Sequence, residues 1–475
     1  MKPEFNWHIL SRAARAIRSS FGSCVALSAI VCLALAQSMM MAWAIPSIYP
    51  TGVTIYDPSK AYNCFVGFSA PDWKTYIIDM DGNAVKTWPR YGFPSVVLDP
   101  KLTGGQKGHV LLQLSSTDGT NSVIKNKTVG ELDWKGDTVW QWGSQAPGGA
   151  VRQNHDIERL PNGDTLILST FRHVVPALSK KPIDDQVMYE VTPDGRIIWR
   201  YLVSEHLKEF GISKEGLKEL RSALADGFHG FGFLTINDMR ALGPNKWFES
   251  GDKRFAPDNI MFDSREANFI AIIDKKTGHL VWRLGPNYEI PWHPAGAGGF
   301  AAQLRTEPIF STKIPRAFDR TAGQHDAHMI PEGLPGAGNI LVFDNEGPSG
   351  IPSMRISHHL GSRVLEINPV TKQIVWQYTA EKSGNPPWTF YSAFISSARR
   401  LPNGNTLIDE GMDGRLFQVT PDGKIVWEYI NPHFGTKETD KGRANLVYRA
   451  QPIPYDWLPD GTPHAESPVT PAAAR

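Results

Sequence analysis

Imidazole, guanidinium and carboxylate side chains gather in a few short stretches of this 475-residue chain. Residues 324–346, QHDAHMIPEGLPGAGNILVFDNE, carry His325, Asp326 and His328, turn at Gly338-Asn339 and continue as apolar Ile340–Phe343. Gly, Pro and Asn between two short apolar runs read as a β-hairpin. Residues 154–168, NHDIERLPNGDTLIL, hold His155 and Asp156; residues 396–410, SSARRLPNGNTLIDE, share the LPNG turn and begin at Ser396. A histidine can attack directly and form a covalent intermediate, and arginine suits an oxyanion through paired N–H donors. Together they fit transfer or binding of a small anionic group. The chain has no G-x-x-x-x-G-K-[ST] loop for a nucleotide donor and no G-x-S-x-G elbow.

Simple counting aligns these stretches. Five residues before Leu160, Leu242, Ile330 and Leu401 stand His155, Asn237, His325 and Ser396. One equivalent strand position in four units would form a ring of polar side chains. The competing reading is turn-capping or inter-unit hydrogen bonding. Asp156 and Asp326 follow the two histidines and are expected to orient their imidazoles. Arginines recur after the next strand, at Arg172, Arg265, Arg363 and Arg415, and Arg363 and Arg265 are expected to hold an anion's oxygens. His328, three residues past His325, is expected by alternation to face the other way and serve structure.

These residues sit on a repeat. A turn with Asp or Gly, a β-branched pair, then two aromatics one residue apart recurs at Trp88, Trp140/Trp142, Trp199/Tyr201, Trp282, Trp376/Tyr378 and Trp427/Tyr429. Two copies are nearly verbatim, VTPDGRIIW and VTPDGKIVW. Period-2 aromatics at intervals of about 50 residues or more signal strands of a propeller. The fold expected is all-β: a six-bladed β-propeller with a helical insertion (204–228) and long loops, including 286–322, on one face. The run Ala444–Ala450 is a candidate for closing the ring. Gly 43 and Pro 36 agree with many tight turns.

Residues 1–44 read as a secretory signal: Lys2, Arg12, Arg15 and Arg18, an apolar stretch 24–36, then Ala42-Trp43-Ala44. An uncleaved anchor is the alternative. The domains expected are thus signal 1–44, propeller 45–458 and a disordered tail 459–475. Removing the signal leaves 45 basic and 47 acidic side chains, so no nucleic-acid partner is indicated. Only Cys64 remains, which excludes an internal disulfide and a cysteine metal site. The protein is expected to be exported, periplasmic or secreted, without stable membrane insertion.

The segments QHDAHMIPEGLPGAGNILVFDN, NHDIERLPNGDTL, SRVLEINP and FYSAFISSARRLPNGNTL resemble the bacterial arylsulfotransferase (arylsulfate sulfotransferase) family from about Gly52 to Asp456. The resemblance implies an exported six-bladed propeller that moves a sulfuryl group from an aryl sulfate to a phenolic acceptor through a sulfated histidine. No cofactor and no metal are implied. By motif, His325 matches a family histidine and Arg363 the arginine of S-R-V-x-E. The resemblance implies His325 as nucleophile with His155 second, and Arg363, Asn237, Thr235, Arg265 and Ser396 around the substrate. Thr235 stands where a W-x-H-x-N segment has histidine, and no histidine lies between Gly361 and Pro432, where the better-studied enzymes carry theirs. Two other readings compete. One is a non-catalytic propeller binding a small anion or glycan; the other is a metal-dependent hydrolase using His155, His325 and His328. Trp-rich quinone-dependent dehydrogenases have eight blades, which six copies do not match.

Overall fold

A computed structural model describes residues 50–114, 126–227, 231–286, 314–351, 360–435 and 444–470. The signal segment and the loop 287–313 lie outside the described residues. Six antiparallel sheets, each built outward from a short inner strand, form six blades. The inner strands are Ala450–Ile453 (blade 1), Val96–Val97 (blade 2), Gln153–Arg159 (blade 3), Ile236–Ala241 (blade 4), His325–Met329 (blade 5) and Ser397–Arg400 (blade 6). The C-terminal end supplies blade 1 its inner strand, and Gly52–Tyr56 adds a fifth strand outside blade 6. Ring closure therefore falls at Ala450–Ile453, just past the run expected to provide it, because residues 444–449 stay irregular.

Middle strands such as Phe269–Ile273 and Ile340–Asp344 are buried at every position, since each face of a blade meets a neighbouring blade. Between blades 4 and 5, Met261, Ile270 and Ile272 pack with Val342, Leu365 and Ile367. Full burial of such a side chain stabilises by roughly 1.5–3 kcal/mol. The repeated tryptophans lie on the fourth strand out from the axis in each blade and donate their indole N–H to a backbone carbonyl in the next. Around the ring these bonds run from Trp88 to Asp133 (3.3 Å), Trp142 to Gly195 (3.0 Å), Trp199 to Lys275 (3.0 Å), Trp282 to Pro369 (2.8 Å), Trp376 to Pro421 (2.8 Å) and Trp427 to Met80 (2.8 Å). The last one closes the circle.

The expected helical insertion is the helix Lys214–Ala225, capped by Ser213, whose hydroxyl accepts from Gly216 N. Its Leu220 and Leu224 join the core cluster holding Leu178 and Phe210. Residues 459–470, expected to be disordered, are tied to the propeller: Val469 pairs with Tyr56, and His464 stacks on Tyr455 at 4.2 Å. Cys64 is a buried, unpaired thiol, pushed up to about 12 by burial. No helix among the described residues is long and apolar enough to cross a membrane.

Candidate active site

Five of the six inner strands end in the same hydrogen bond. Leu98, Leu160, Leu242, Ile330 and Leu401 donate their N–H to His109, Asp164, Asn259, Asn339 and Asn405. Five residues earlier stand Phe93, His155, Asn237, His325 and Ser396, and the same count from Ile453 gives Tyr448. All six are buried. The strand pairing slips at these positions in blades 3, 4 and 5, and His155 (φ 62°), Thr235 (φ 44°), Asp326 (φ 58°) and Ser396 (φ 93°) take left-handed conformations. Side chains with a Cβ there cost of order 1–3 kcal/mol each, held by the surrounding blades.

Contacts link the ring across the axis. Phe93 lies 4.9 Å from the His155 ring and 4.1 Å from Tyr448, while Phe231 meets His155 edge-on at 4.6 Å. The Tyr448 hydroxyl donates toward the carbonyls of His155 (3.0 Å) and Asn237 (2.9 Å). His155 therefore sits in an aromatic enclosure of Phe93, Phe231 and Tyr448. Its Nδ1 meets Asn154 Oδ1 at 2.7 Å, which keeps the proton on Nδ1 and the lone pair on Nε2. Among the described residues no partner bonds that Nε2. Burial holds His155 well below the usual imidazole range, and neighbouring His325, Arg449 and Arg265 add to the effect.

His325 differs. Its Nδ1 donates toward Gly323 O (2.9 Å) and Asn345 Oδ1 (2.8 Å), and its Nε2 accepts the Ile395 N–H at 3.1 Å. Both nitrogens are occupied. Burial, then Arg265, pushes it down to about 3. Arg265, which like Arg449 acts on both imidazoles, uses its side chain in two hydrogen bonds among the described residues, to Glu266 (2.6 Å) and Pro348 O (3.1 Å). A guanidinium can donate five.

Several expected roles are corrected by the geometry. Arg363 is 1 % exposed and saturated by Asp344 (2.6 and 3.0 Å), Asp319 (3.0 and 3.3 Å) and Arg320 O (2.8 Å), so it presents no fork to a ligand. Asn237 uses its Nδ2 on Gln324 O, leaving a buried Oδ1 that can only accept. The Ser396 hydroxyl is taken by Ser392 and Gly411 N, and Thr235 Oγ1 reaches Gly232 O at 3.5 Å. Asp156 and Asp326 do not orient the imidazoles. They accept N–H from the next blade (Met239, 3.1 Å; Ala398, 3.1 Å) and pair with arginines. Asp156 meets Arg240 at 3.2 Å and Arg449 at 2.9 Å; Asp326 meets Arg399 at 2.6 Å and Arg449 at 3.2 Å. His328 contacts Arg399 of blade 6 at 2.7 Å, three residues beyond the ring, so His155, His325 and His328 do not converge as a metal set. Among the described residues the one His/Cys/Asp/Glu group spaced for a metal is His206, Glu209 and His279, away from the ring.

Counting had missed Phe93, Tyr448 and the axial Arg449. Leu98 and Ile453 marked two of these positions, but neither is followed by a turn like the LPNG shared by Leu160 and Leu401.

A family model for arylsulfotransferase (ASST) matches residues 74–449. Among solved structures the chain is similar to a protein of unknown function from Bacteroides caccae, at 14% identity over 82% of this chain and 99% of that one, TM-score 0.45. It is also similar to streptogramin B lyase (14%, 82% and 84%, TM-score 0.37) and to the β-propeller domain of Myceliophteria thermophila Cps50 (Swd1) (10%, 85% and 98%, TM-score 0.34). Likeness this distant carries nothing about activity. No curated protein matches the chain. The family match spans most of the described propeller and every position of the axial ring, and on that ground the chain belongs to the arylsulfotransferase family.

Proposed function

We propose that this protein transfers a sulfuryl group from an aryl sulfate to a phenolic acceptor, with His155 as the nucleophile. The observation that carries the proposal is the His155 imidazole itself. It is kept neutral by burial, fixed through Nδ1, unbonded at Nε2 among the described residues, and ringed by three aromatic side chains. An aryl ring stacks against Phe93, Phe231 and Tyr448. The sulfuryl oxygens turn to Arg265, whose guanidinium spends two hydrogen bonds on Glu266 and Pro348 O among the described residues and has further N–H donors to offer.

In the first half-reaction Nε2 attacks sulfur, the N–S bond forms, and the S–O bond to the ring breaks with its electron pair leaving on the aryl oxide. In the second, the acceptor's phenolic oxygen attacks sulfur and the N–S bond breaks. The acceptor proton passes to the departed aryl oxide or to solvent, and His155 is regenerated neutral. His325 serves as a positioning residue, holding the Ile395 backbone against the ring through its Nε2. We further propose export, from the basic and apolar pattern of residues 2–44.

The test is release of 4-nitrophenolate from 4-nitrophenyl sulfate by the purified protein, with and without phenol. Release that depends on phenol supports the transfer. Absence of turnover across several aryl sulfates and phenols would leave the non-catalytic binding reading in its place.

A further inference from the structure

The register that builds the histidine ring builds a second ring further along the same strands. Three residues beyond Phe93, His155, Asn237, His325, Ser396 and Tyr448 stand Val96, Glu158, Arg240, His328, Arg399 and Gln451. All six line one cavity of about 690 Å³, walled further by residues that follow the inner strands, such as Leu242, Pro331 and Leu401. Alternation alone would turn every third residue away from the axis. The slip in strand pairing at the first ring adds a residue and brings the third one back.

Arg240, Arg399, Arg400 and Arg449 line this cavity together with Asp99, Glu158 and Glu332. Arg240 and Arg399 reach it with side chains 18 % exposed, and Arg449 forms its floor at 5 %. Among the described residues their ion-pair partners are Asp156 and Asp326. Among the described residues Arg240 has a single ion pair, to Asp156 at 3.2 Å. Asp238, Asp263 and Asp409 lie nearby, and burial, with neighbouring carboxylates adding to it, raises them well above the usual carboxylate range. Glu158, on the cavity wall, is pushed up to about 7 by burial. Arg240, Arg399 and Arg449 therefore reach a roomy space to which Leu242, Met329, Leu334, Leu401 and Trp457 give apolar walls.

We propose that this cavity is a second binding site, for a small organic anion whose acidic group lies against Arg240 and Arg399 and whose apolar body lies against Leu334 and Leu401. Arg is suited to a planar or tetrahedral oxyanion, and the apolar walls select an anion that carries a carbon skeleton over a bare inorganic one. The inference does not rest on sulfuryl transfer at His155. It stands on a different ring, and either can fail alone.

Calorimetric titration of benzenesulfonate into the full chain carrying Arg265→Gln, which disarms the histidine ring, tests it. The expected result is one residual site that Arg240→Gln weakens about tenfold or more, the loss typical of a charged hydrogen bond. Leu334→Trp, which fills the cavity and touches no ion pair, should weaken it to a similar degree. Inorganic sulfate should bind at least about tenfold more weakly, for want of apolar contact. Should Arg240→Gln misfold by circular dichroism, Leu334→Trp decides. No residual binding, binding indifferent to the cavity variants, or equal binding of inorganic sulfate would each overturn the proposal.

Discussion

His155 and His325 occupy equivalent positions in blades 3 and 5, yet their hydrogen bonds separate them. Among the described residues His155 keeps an unbonded Nε2, whereas the Nε2 of His325 already accepts a backbone N–H. His155→Ala should cut transfer by about 10⁴-fold or more, as loss of a covalent nucleophile does, and His325→Ala by about 10–100-fold; steady-state rates with 4-nitrophenyl sulfate and phenol separate the two. Burial also fixes a pH signature. His325 titrates at about 3 when folded against 6.5 ordinarily, so between those values the unfolded chain binds a proton that the native one does not. Stability from this group is complete above 6.5 and is lost as the pH falls, by about 1.4 kcal/mol per unit. Denaturant melts from pH 7 to 4 should show a shallower decline for His325→Gln than for wild type. Arg363 behaves differently from a substrate clamp. Arg363→Met strands Asp319 and Asp344 in the interior and should cost about 3–5 kcal/mol of stability, seen in a urea melt, with KM unchanged in whatever protein still folds.

Among elements, the outer strands explain why the fold was legible. An indole needs a buried acceptor for its N–H, and every blade supplies one to the blade before it, so the tryptophans recur at strand spacing and are easily counted. Trp427→Phe leaves the Met80 carbonyl unpaired at the closing joint and should cost about 1–3 kcal/mol, read as a lower urea midpoint. The site was legible only in part. Counting back from an apolar residue found four members of the ring, because three of those residues introduce recognisable turns. It could not foresee that Arg363 would be consumed by Asp319 and Asp344, which lie 44 and 19 residues away in sequence. Nor could it foresee the slipped pairing that returns His328 to the axis. Carboxylates placed after histidines looked like orienting groups, but in the folded ring each bonds the next blade and Arg449.

At the scale of the molecule, both ends of the described chain lock the ring: Gly52–Tyr56 on blade 6 and Ala450–Ile453 on blade 1. Arg449 stands just before that last strand and ties Asp156 of blade 3 to Asp326 of blade 5. A chain ended after Asn445 would lose a ring tyrosine, the axial arginine and an inner strand together. It should show no cooperative thermal transition by circular dichroism, where removal of residues 471–475 should leave the transition in place.

The central claim is that sulfur is carried on one nitrogen. Rapid quench of the protein with 4-nitrophenyl sulfate in the absence of phenol, followed by peptide mass spectrometry under alkaline conditions that spare N-sulfated imidazole, tests it most directly. The account predicts one sulfuryl adduct per chain, on His155, discharged when phenol is added. An adduct on His325, on a tyrosine or on no residue, in protein that nevertheless turns over, would contradict it.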